Sequence, residues 1–376
     1  MTHMAEYIVI GGGILGASTA FRLAKAGADV TVIDRFDSGQ ATDAAAGIVC
    51  PWLSQRRNKA WYQLARGGAA YYPSLIRELE QEGETETGYK QVGAISIHHD
   101  ENKLDGMETR ALKRRQHAPE IGEITRLNAA ETREMFPPLA EGFSSVHVSG
   151  AARVDGRSLR SALLRGAMRH GAKCMEGNAR LYLKNSKVTG VEVNGSVLQA
   201  DKVIIAAGAW AKSILKPLGI DFNLHFQKAQ IVHLEIPDMD TSRWPVVIPP
   251  SNHYLLAFDH NRIVAGATHE DNTGFDDRIT VHGIKEIFEK ALGIAPGLAH
   301  STFLEARVGF RPFTPGFLPM LGALPDHPNV FAANGLGASG LTMGPYVGAQ
   351  LAKLALEQET EINLEDYDIT GAIGSM

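Results

Sequence analysis

Cysteine is nearly absent from this chain of 376 residues. Cys50 and Cys174 are the only two, and they stand far apart, in no metal-binding or redox spacing. A disulfide scaffold is therefore not expected, no metal site is predicted, and a reducing compartment such as the cytoplasm is the expected location.

Long apolar runs and an excess of positive charge are also missing. No stretch approaches the roughly 20 apolar residues of a membrane-spanning helix, and residues 1–7 contain no charged segment followed by a cleavable apolar stretch. Lys and Arg number 37 against 42 Asp and Glu, a net charge of −5, so nucleic-acid binding is not expected. Two short basic clusters, 55–59 and 113–117, are predicted to lie on solvated helix faces.

Glycine, in contrast, is abundant, with 39 residues that occur in clusters. The first cluster follows a short apolar stretch at 7–10, which is typical of a buried parallel strand. It reads Gly11-Gly-Gly-Ile-Leu-Gly16, and a helical pattern at 14–25 and a second strand at 29–33 follow in order. The order predicts a βαβ unit, and the length of the chain predicts two domains.

This first cluster matches the fingerprint of dinucleotide-binding proteins. Gly11 would permit the turn, Gly13 the close approach of a pyrophosphate, and Gly16 the packing of helix on strand. Free N–H groups at the helix N-terminus would bind the phosphates, and Asp34 would accept hydrogen bonds from ribose hydroxyls. The fingerprint does not separate FAD from NAD. Arg35 either contacts an adenosine 2′-phosphate or is an exposed residue at a strand end.

Three further segments are rich in small residues. Residues 40–47 could bring backbone close to a flat or charged group, or form a tightly packed loop. In 200–210 a buried strand runs into Gly208, and Trp210 begins a helix, as in many strand–turn–helix units. Residues 334–345 place glycines before another helix, which suggests one cofactor held at both ends.

The remaining pattern mixes helices and short strands. Helices are predicted at 59–81, 282–292 and 341–357. A capping box at 128–131 predicts a further short helix, and Asp155 is predicted to cap a helix that runs to about His170. Strands are predicted at 92–97, 187–193, 197–206, 224–236, 254–258, 262–267, 302–310 and 329–333. The order suggests an α/β domain into which segments of a substrate domain are inserted.

Two arginines stand among apolar residues in Arg307-Val-Gly-Phe-Arg311-Pro. A buried guanidinium needs an anionic partner. On a regular strand the two would lie about 13 Å apart on one side, too far to share a small carboxylate. Arg307 is predicted to form a structural ion pair or an edge contact. For Arg311 the motif leaves a structural salt bridge and a ligand carboxylate open.

Together these segments resemble the D-amino-acid oxidase and glycine oxidase group of FAD-dependent oxidoreductases. The resemblance covers almost the whole chain and is strongest at 7–46, 203–210, 254–268 and 308–345. It implies an α/β fold (α+β overall), with a Rossmann-like FAD-binding domain and an inserted, mainly antiparallel β-sheet substrate domain. The implied FAD-binding domain comprises 1–84, 150–222 and 303–376, and the implied substrate domain comprises 85–149 and 223–302.

The resemblance also implies which residues hold FAD. They are Gly11, Gly13, Ile14, Leu15, Gly16, Asp34, Arg35, Ala41, Thr42, Ala45, Ala46, Gly47, Ile48, Ala179, Gly208, Trp210, Gly335, Gly337, Ser339, Gly340, Leu341 and Thr342. The last loop would lie at the pyrimidine end of the flavin, where N–H groups stabilise negative charge. Sarcosine oxidases tether flavin through a cysteine just after the strand arginine. Residues 313–316 contain none, so non-covalent FAD is implied.

The same resemblance assigns the substrate site. Arg311 is implied to bind a substrate carboxylate, which would hold the Cα–H bond against the flavin. Tyr254 is implied to line the site, although a half-buried sheet tyrosine is the alternative. His269 would be a substrate contact or merely a strand-end histidine. Some glycine-oxidase-like proteins carry a second arginine where this chain has Ala338 and Ser339, so a strict preference for glycine is not implied.

The predicted function is FAD-dependent oxidation of a small amino acid or N-substituted glycine. Hydride would pass from Cα to flavin N5, and the imine would hydrolyse to a keto acid, with hydrogen peroxide as product if oxygen is the acceptor. One alternative is a 2-hydroxy-acid or D-amino-acid dehydrogenase with another acceptor, in which His269 or His253 would be the base for a hydroxyl. A second alternative is a non-catalytic FAD-binding protein. The sequence leaves a homo-oligomer open.

Overall fold

The computed structural model describes residues 5–374, so part of the N-terminal segment predicted to lack a signal lies outside the described residues. The helices are α1 (Ile14–Lys25), α2 (Lys59–Gln81), α3 (Glu101–Arg115), α4 (Ala129–Met135), α5 (Gly156–Arg169), α6 (Ala211–Leu215), α7 (Val281–Ile294) and α8 (Gly340–Ala355). The strands are β1 (Glu6–Ile10), β2 (Asp29–Asp34), β3 (Ile48–Val49), β4 (Lys90–Gln91), β5 (Ala94–His98), β6 (Ile124–Leu127), β7 (Ser144–Val148), β8 (Ala152–Arg153), β9 (Lys173–Glu176), β10 (Arg180–Lys184), β11 (Lys187–Val193), β12 (Ser196–Gln199), β13 (Lys202–Ile205), β14 (His225–Glu235), β15 (Val246–Ile248), β16 (Tyr254–Ala257), β17 (Arg262–Gly266), β18 (Thr302–Phe313), β19 (Met320–Leu324) and β20 (His327–Asn334).

A six-stranded sheet contains the βαβ unit that the sequence predicts. Its order is β19-β20-β13-β1-β2-β9, and every neighbouring pair is parallel except β19 with β20. The central strand β1 buries both faces, as its continuous apolar run requires. Helix α1 packs against α5 and α8 on one side of this sheet. The carboxyl ends of the parallel strands therefore meet at one edge, which is where such sheets bind ligands.

An eight-stranded sheet forms the second large layer. Its order is β18-β14-β17-β16-β15-β5-β7-β6, and all its pairs are antiparallel except β15 with β5. Side chains such as Ile95, Val232 and Ile263 are fully buried with Ile287 of α7. This layer confirms the expected mixture of a Rossmann-like part and a mainly antiparallel sheet.

The boundary between the two predicted domains needs one adjustment. All of strand β18 except Thr302 falls within the predicted FAD-binding segment 303–376, but the strand pairs with β14 in the eight-stranded sheet along its length. We therefore propose that the substrate domain extends to Phe313. The division into domains otherwise stays as proposed from the sequence.

Two predictions of secondary structure were wrong. The strand at 197–206 is two strands, β12 and β13, in different sheets, with Ala200 and Asp201 between them. The basic cluster at 55–59 does not lie on a helix face, because α2 begins only at Lys59, where the Asn58 side chain accepts a hydrogen bond from the Trp61 N–H at 3.0 Å. Arg56 and Arg57 consequently belong to the loop before α2.

Other predictions of helix starts are confirmed. Asn128 and Glu131 form the reciprocal capping box at the start of α4, and Asp155 caps α5 by accepting from the Ser158 N–H. Within residues 5–374 no helix combines the length and the apolar character needed to cross a membrane.

Candidate active site

One cavity of about 710 Å³ is lined by residues from both large sheets. The loops that follow β1, β2, β13 and β20 form one part of its wall, at the carboxyl edge of the parallel strands. The other part comes from the eight-stranded sheet and from the loop before α2. Most of the predicted cofactor residues and all three predicted substrate residues therefore line one cavity.

The first glycine loop has the backbone geometry that its sequence predicts. Gly11 has φ +103°, and a Cβ there would stand 2.5 Å from the Ala206 carbonyl oxygen, so glycine is required. Gly13 is the N-cap residue of α1 and has no side chain to accept a hydrogen bond from the helix. The Ile14 N–H donates instead to Thr42 Oγ1 at 3.0 Å. A Cβ at Gly13 would meet only that Thr42 oxygen, at 3.4 Å. The loop thus presents bare backbone to the cavity.

Asp34 is anchored at the end of β2 by donors of the protein itself. The N–H groups of Gly12 and Phe36 and the amide of Gln40 all donate to its carboxylate. The side chain is mostly buried and still lines the cavity. Arg35 pairs with Asp37 at 2.5 Å, and the acidic neighbour disfavours a 2′-phosphate beside Arg35.

The second glycine loop lines the opposite part of the cavity. A short 3₁₀ turn, Gly337–Ser339, leads into α8, whose first turn has no side-chain cap. A Cβ at Gly340 would have only one neighbour, Leu336 Cβ at 3.9 Å, so this N-terminus is open. Thr342 fixes the loop by donating to the Ile48 carbonyl at 2.8 Å.

Two predicted cofactor residues do not line the cavity. A Cβ at Gly16 would stand 1.9 Å from the Gly11 carbonyl oxygen, so this glycine serves the packing of α1 on β1. Gly335 has φ +83°, and a Cβ there would stand 1.8 Å from Thr314 Oγ1, so it serves a tight turn. The other predicted cofactor residues all line the wall: Gly11, Gly13, Ile14, Leu15, Asp34, Arg35, Ala41, Thr42, Ala45, Ala46, Gly47, Ile48, Ala179, Gly208, Trp210, Gly337, Ser339, Gly340, Leu341 and Thr342. A long dinucleotide such as FAD fits this lining, which offers glycine backbone at the start of α1, an uncapped start of α8 and an anchored carboxylate.

Arg311 points into the same cavity from β18, opposite Gln227 of β14. Its Nη1 lies 3.5 Å from Nδ1 of His269, and its positive charge acts on the hydroxyl of Tyr254. No acidic side chain among residues 5–374 forms an ion pair with it. The structural salt bridge that the motif left open for Arg311 is therefore not observed.

His269 is held by a partner that the sequence did not reveal. Its Nδ1 lies 2.9 Å from the amide oxygen of Gln227, whose nitrogen donates to Asp271 at 3.0 Å. Its Nε2 lies 3.4 Å from the Asn252 carbonyl oxygen, so both ring nitrogens face an acceptor. Burial, and then the charge of Arg311, lower the pKa of His269, so the ring is neutral near pH 7.

Tyr254 and His253 complete this part of the wall. Burial raises the pKa of Tyr254 against the opposing charge of Arg311, so the phenol keeps its proton. A Cβ at Gly266, its cross-strand neighbour, would stand 2.8 Å from its hydroxyl. Burial, assisted by Lys290, lowers the pKa of His253 to about 4.

Arg307 has the structural role that the sequence predicts. Its Nε donates to Glu305 at 2.9 Å, and its Nη1 donates to the Asp43 carbonyl at 3.3 Å. It lines a separate, smaller pocket and not the large cavity. The two arginines of the motif thus have different surroundings.

The chain matches the model of the DAO family, FAD-dependent oxidoreductases, over residues 6–354. It is 62% identical over 371 residues to the uncharacterized oxidoreductase YurR of Bacillus subtilis (strain 168), covering 98% of this chain and 100% of YurR. Among solved structures, it is similar to iminodiacetate oxidase (IdaA) from Chelativorans sp. BNC1, with 45% identity, a TM-score of 0.94, and coverage of 96% and 98% of the two chains.

A second solved structure of similar shape is glycine oxidase from Geobacillus kaustophilus. The identity is 27%, the TM-score is 0.87, and the match covers 99% of this chain and 100% of that one.

Within residues 5–374 no group of three or more His, Cys, Asp or Glu side chains is arranged to hold a metal ion.

Proposed function

This chain belongs to the DAO family of FAD-dependent oxidoreductases, and on that premise we propose that it oxidises the carbon–nitrogen bond of a small amino acid or N-substituted glycine. The observation that carries the proposal is Arg311, a cation without an acidic partner in the described chain, in the cavity that the two glycine loops also line. A guanidinium in this setting is suited to a carboxylate of the substrate. The names of the two similar solved enzymes, iminodiacetate oxidase and glycine oxidase, agree with a carboxylate-bearing amine.

Bound FAD supplies the acceptor for a hydride from the substrate carbon. The Cα–H bond breaks with its electron pair, the nitrogen lone pair forms the C=N bond, and the proton on nitrogen leaves. Water then adds to the imine and releases a keto acid with ammonia or an amine. For an N-substituted glycine the keto acid is glyoxylate.

The side chains of this chain act mainly by positioning. Arg311 holds the carboxylate, and the protonated phenol of Tyr254 donates a further hydrogen bond to it. The open N-terminus of α8 directs N–H groups into the cavity, where they favour developing negative charge. No base is needed on carbon, because the amine reacts with a neutral nitrogen.

A 2-hydroxy-acid dehydrogenase is the second candidate. The specific observation that favours it is the pair of cavity histidines, His253 and His269, both with a lowered pKa. A neutral imidazole is the form that removes a proton from a hydroxyl group.

The proposal also covers the electron acceptor, the location of the protein and its state of assembly. We propose oxygen as the acceptor, with another acceptor as the alternative, and a non-covalently held flavin. The thiols of Cys50 and Cys174 are free, which fits the cytoplasm. A homo-oligomer is compatible with the chain.

Steady-state turnover tests this assignment. Purified holoenzyme is supplied with glycine, sarcosine, iminodiacetate, proline, D- and L-amino acids and matching 2-hydroxy acids, and keto acid and peroxide are both measured. Glyoxylate or another keto acid from an amine supports the proposal. Turnover of 2-hydroxy acids alone would establish the second candidate instead.

A further inference from the structure

Arg56 lies on the wall of the cavity that contains Arg311, which the cations Arg35 and Arg180 also line. Its guanidinium carbon lies 4.7 Å from the centre of the Trp61 ring, and the indole also lines the cavity. In the part of the chain that the structure describes, no acidic side chain lies within ion-pair distance of Arg56. The guanidinium stacks on an aromatic face, which leaves its N–H groups available to an anion.

The loop that carries Arg56 is fixed on both sides. Nη1 of Arg114 donates to the carbonyl groups of Trp52 and Ser54, at 2.6 and 2.7 Å. The Arg56 N–H donates to Ser54 Oγ at 3.2 Å, and the Asn58 cap begins α2 two residues later. The backbone at Arg56 is therefore held in place before any ligand binds, which reduces the entropy lost on binding.

The charges on the wall are unequally distributed. The acidic side chains that line the cavity, in the described residues, are Asp34 and Asp37, both beside the first glycine loop. Asp34 accepts from protein donors and Asp37 pairs with Arg35. Two other arginines line the wall: Arg35, which pairs with Asp37, and the exposed Arg180. Arg56 and Arg311 have no acidic partner among the described residues, so each is available to a carboxylate.

We propose that Arg56 binds a second carboxylate, carried by the group on the substrate nitrogen, while Arg311 binds the carboxylate of the carbon that is oxidised. The substrate class is then an iminodicarboxylate, an N-carboxyalkyl amino acid. This inference rests on the proposed function and adds to it the residue that selects the substrate. Each guanidinium pairs with one planar carboxylate through parallel N–H donors.

The test compares iminodiacetate with sarcosine, which has the same secondary amine and glycine carboxylate but a methyl group in place of the second carboxymethyl group. In wild-type holoenzyme we expect kcat/KM to be higher for iminodiacetate than for sarcosine. Arg56→Gln lowers the ratio of the two kcat/KM values by roughly 10- to 100-fold, chiefly through the KM for iminodiacetate. Arg56→Lys restores part of that ratio, because it restores the charge.

Arg57→Gln is the matched control, because Arg57 is the next residue on the same loop, is exposed like Arg56, and does not line the cavity. It leaves the ratio unchanged, and flavin absorbance and circular dichroism verify that each variant is folded and loaded. A ratio unchanged in Arg56→Gln, or lowered equally in Arg57→Gln, overturns this inference alone. If no amine reduces the wild-type flavin, the proposed function fails, and this inference fails with it.

Discussion

Nη1 of Arg311 lies 3.5 Å from Nδ1 of His269, although the two residues are 42 positions apart in the chain. Arg311 comes from β18, and His269 follows β17 in the loop that Gln227 holds. The cation helps to keep the imidazole neutral, and the imidazole leaves the cation without a competing charge. The pair is therefore not an ion pair, and we propose that it binds an anion.

Arg311→Gln is predicted to lower kcat/KM for the best amine substrate by about 100-fold or more, since a charged hydrogen-bonded contact is worth a few kcal/mol. The loss should fall mainly on KM and on the Kd of a carboxylate inhibitor measured from the flavin spectrum. Arg307→Gln is the control, because it breaks the pair with Glu305 outside the cavity. It should lower Tm by a few degrees and change KM less than threefold. Equal effects of the two variants on KM would contradict the role of Arg311.

Gly16→Ala is predicted to reduce the FAD content of the purified protein severely. The added methyl group would lie 1.9 Å from the Gly11 carbonyl oxygen, so α1 cannot approach β1 and the phosphate loop must move. Gly106→Ala in α3 is the matched control, because a Cβ there meets no atom within 4 Å. It should raise the free energy of unfolding by about 0.5–1 kcal/mol and leave the ratio of flavin to protein unchanged. For each variant, the ratio of flavin to protein is measured from the absorbance at about 450 and 280 nm.

The free energy of unfolding is predicted to decrease as the pH falls from about 6.5 towards 3, partly because of His233. Burial, and then the charges of Arg307 and Arg262, lower the pKa of His233 to about 3, and neither ring nitrogen has a hydrogen-bond partner in the described residues. The unfolded chain therefore takes up a proton that the folded chain does not, and this costs at most about 1.4 kcal/mol per pH unit.

His233→Leu should flatten this pH dependence in urea titrations at pH 7, 6, 5 and 4. His253, whose pKa is about 4, contributes in the same direction and remains in the variant. The exposed His300 provides the control, and His300→Gln should retain the wild-type slope. An identical slope in His233→Leu would show that the imidazole does not exclude a proton in the folded chain.

Acid precipitation is predicted to release all of the flavin into the supernatant. Cys50 is the cysteine that lines the cavity among the described residues, and burial raises the pKa of its thiol to about 12. Such a thiol does not form the thiolate that a flavin linkage requires. Cys50→Ala should give the same result as the wild type. Yellow colour that stays with the precipitated wild-type protein would contradict non-covalent binding.

The glycine fingerprint could be predicted from the sequence because its requirements are local. Gly11 has a positive φ, and at Gly16 a carbonyl oxygen lies too close for any side chain. Both constraints come from neighbours in one βαβ unit. Gly335 could not be separated from the cofactor residues around it, because its constraint comes from Thr314 in another part of the chain. A glycine-rich run alone does not say which glycine faces a ligand.

The support of His269 and the position of Arg56 were missed for different reasons. The contact of Gln227 with His269 depends on the register of β14 against its neighbours, which pattern reading does not provide. The prediction that the basic cluster 55–59 lies on a helix face was wrong for Arg56, which lies in the loop before α2. The signal that corrects this was present, since Asn58 is a favoured cap and α2 begins after it.

Anaerobic reduction of the bound flavin tests the central claim most directly. Holoenzyme without oxygen is mixed with iminodiacetate, sarcosine or glycine, and in parallel with the corresponding 2-hydroxy acids, while absorbance near 450 nm is followed. We expect rapid bleaching by at least one amine, a rate that rises with pH as the amine loses its proton, and slow bleaching in Arg311→Gln. Bleaching by hydroxy acids alone, or no bleaching by any carboxylate, would contradict the central claim.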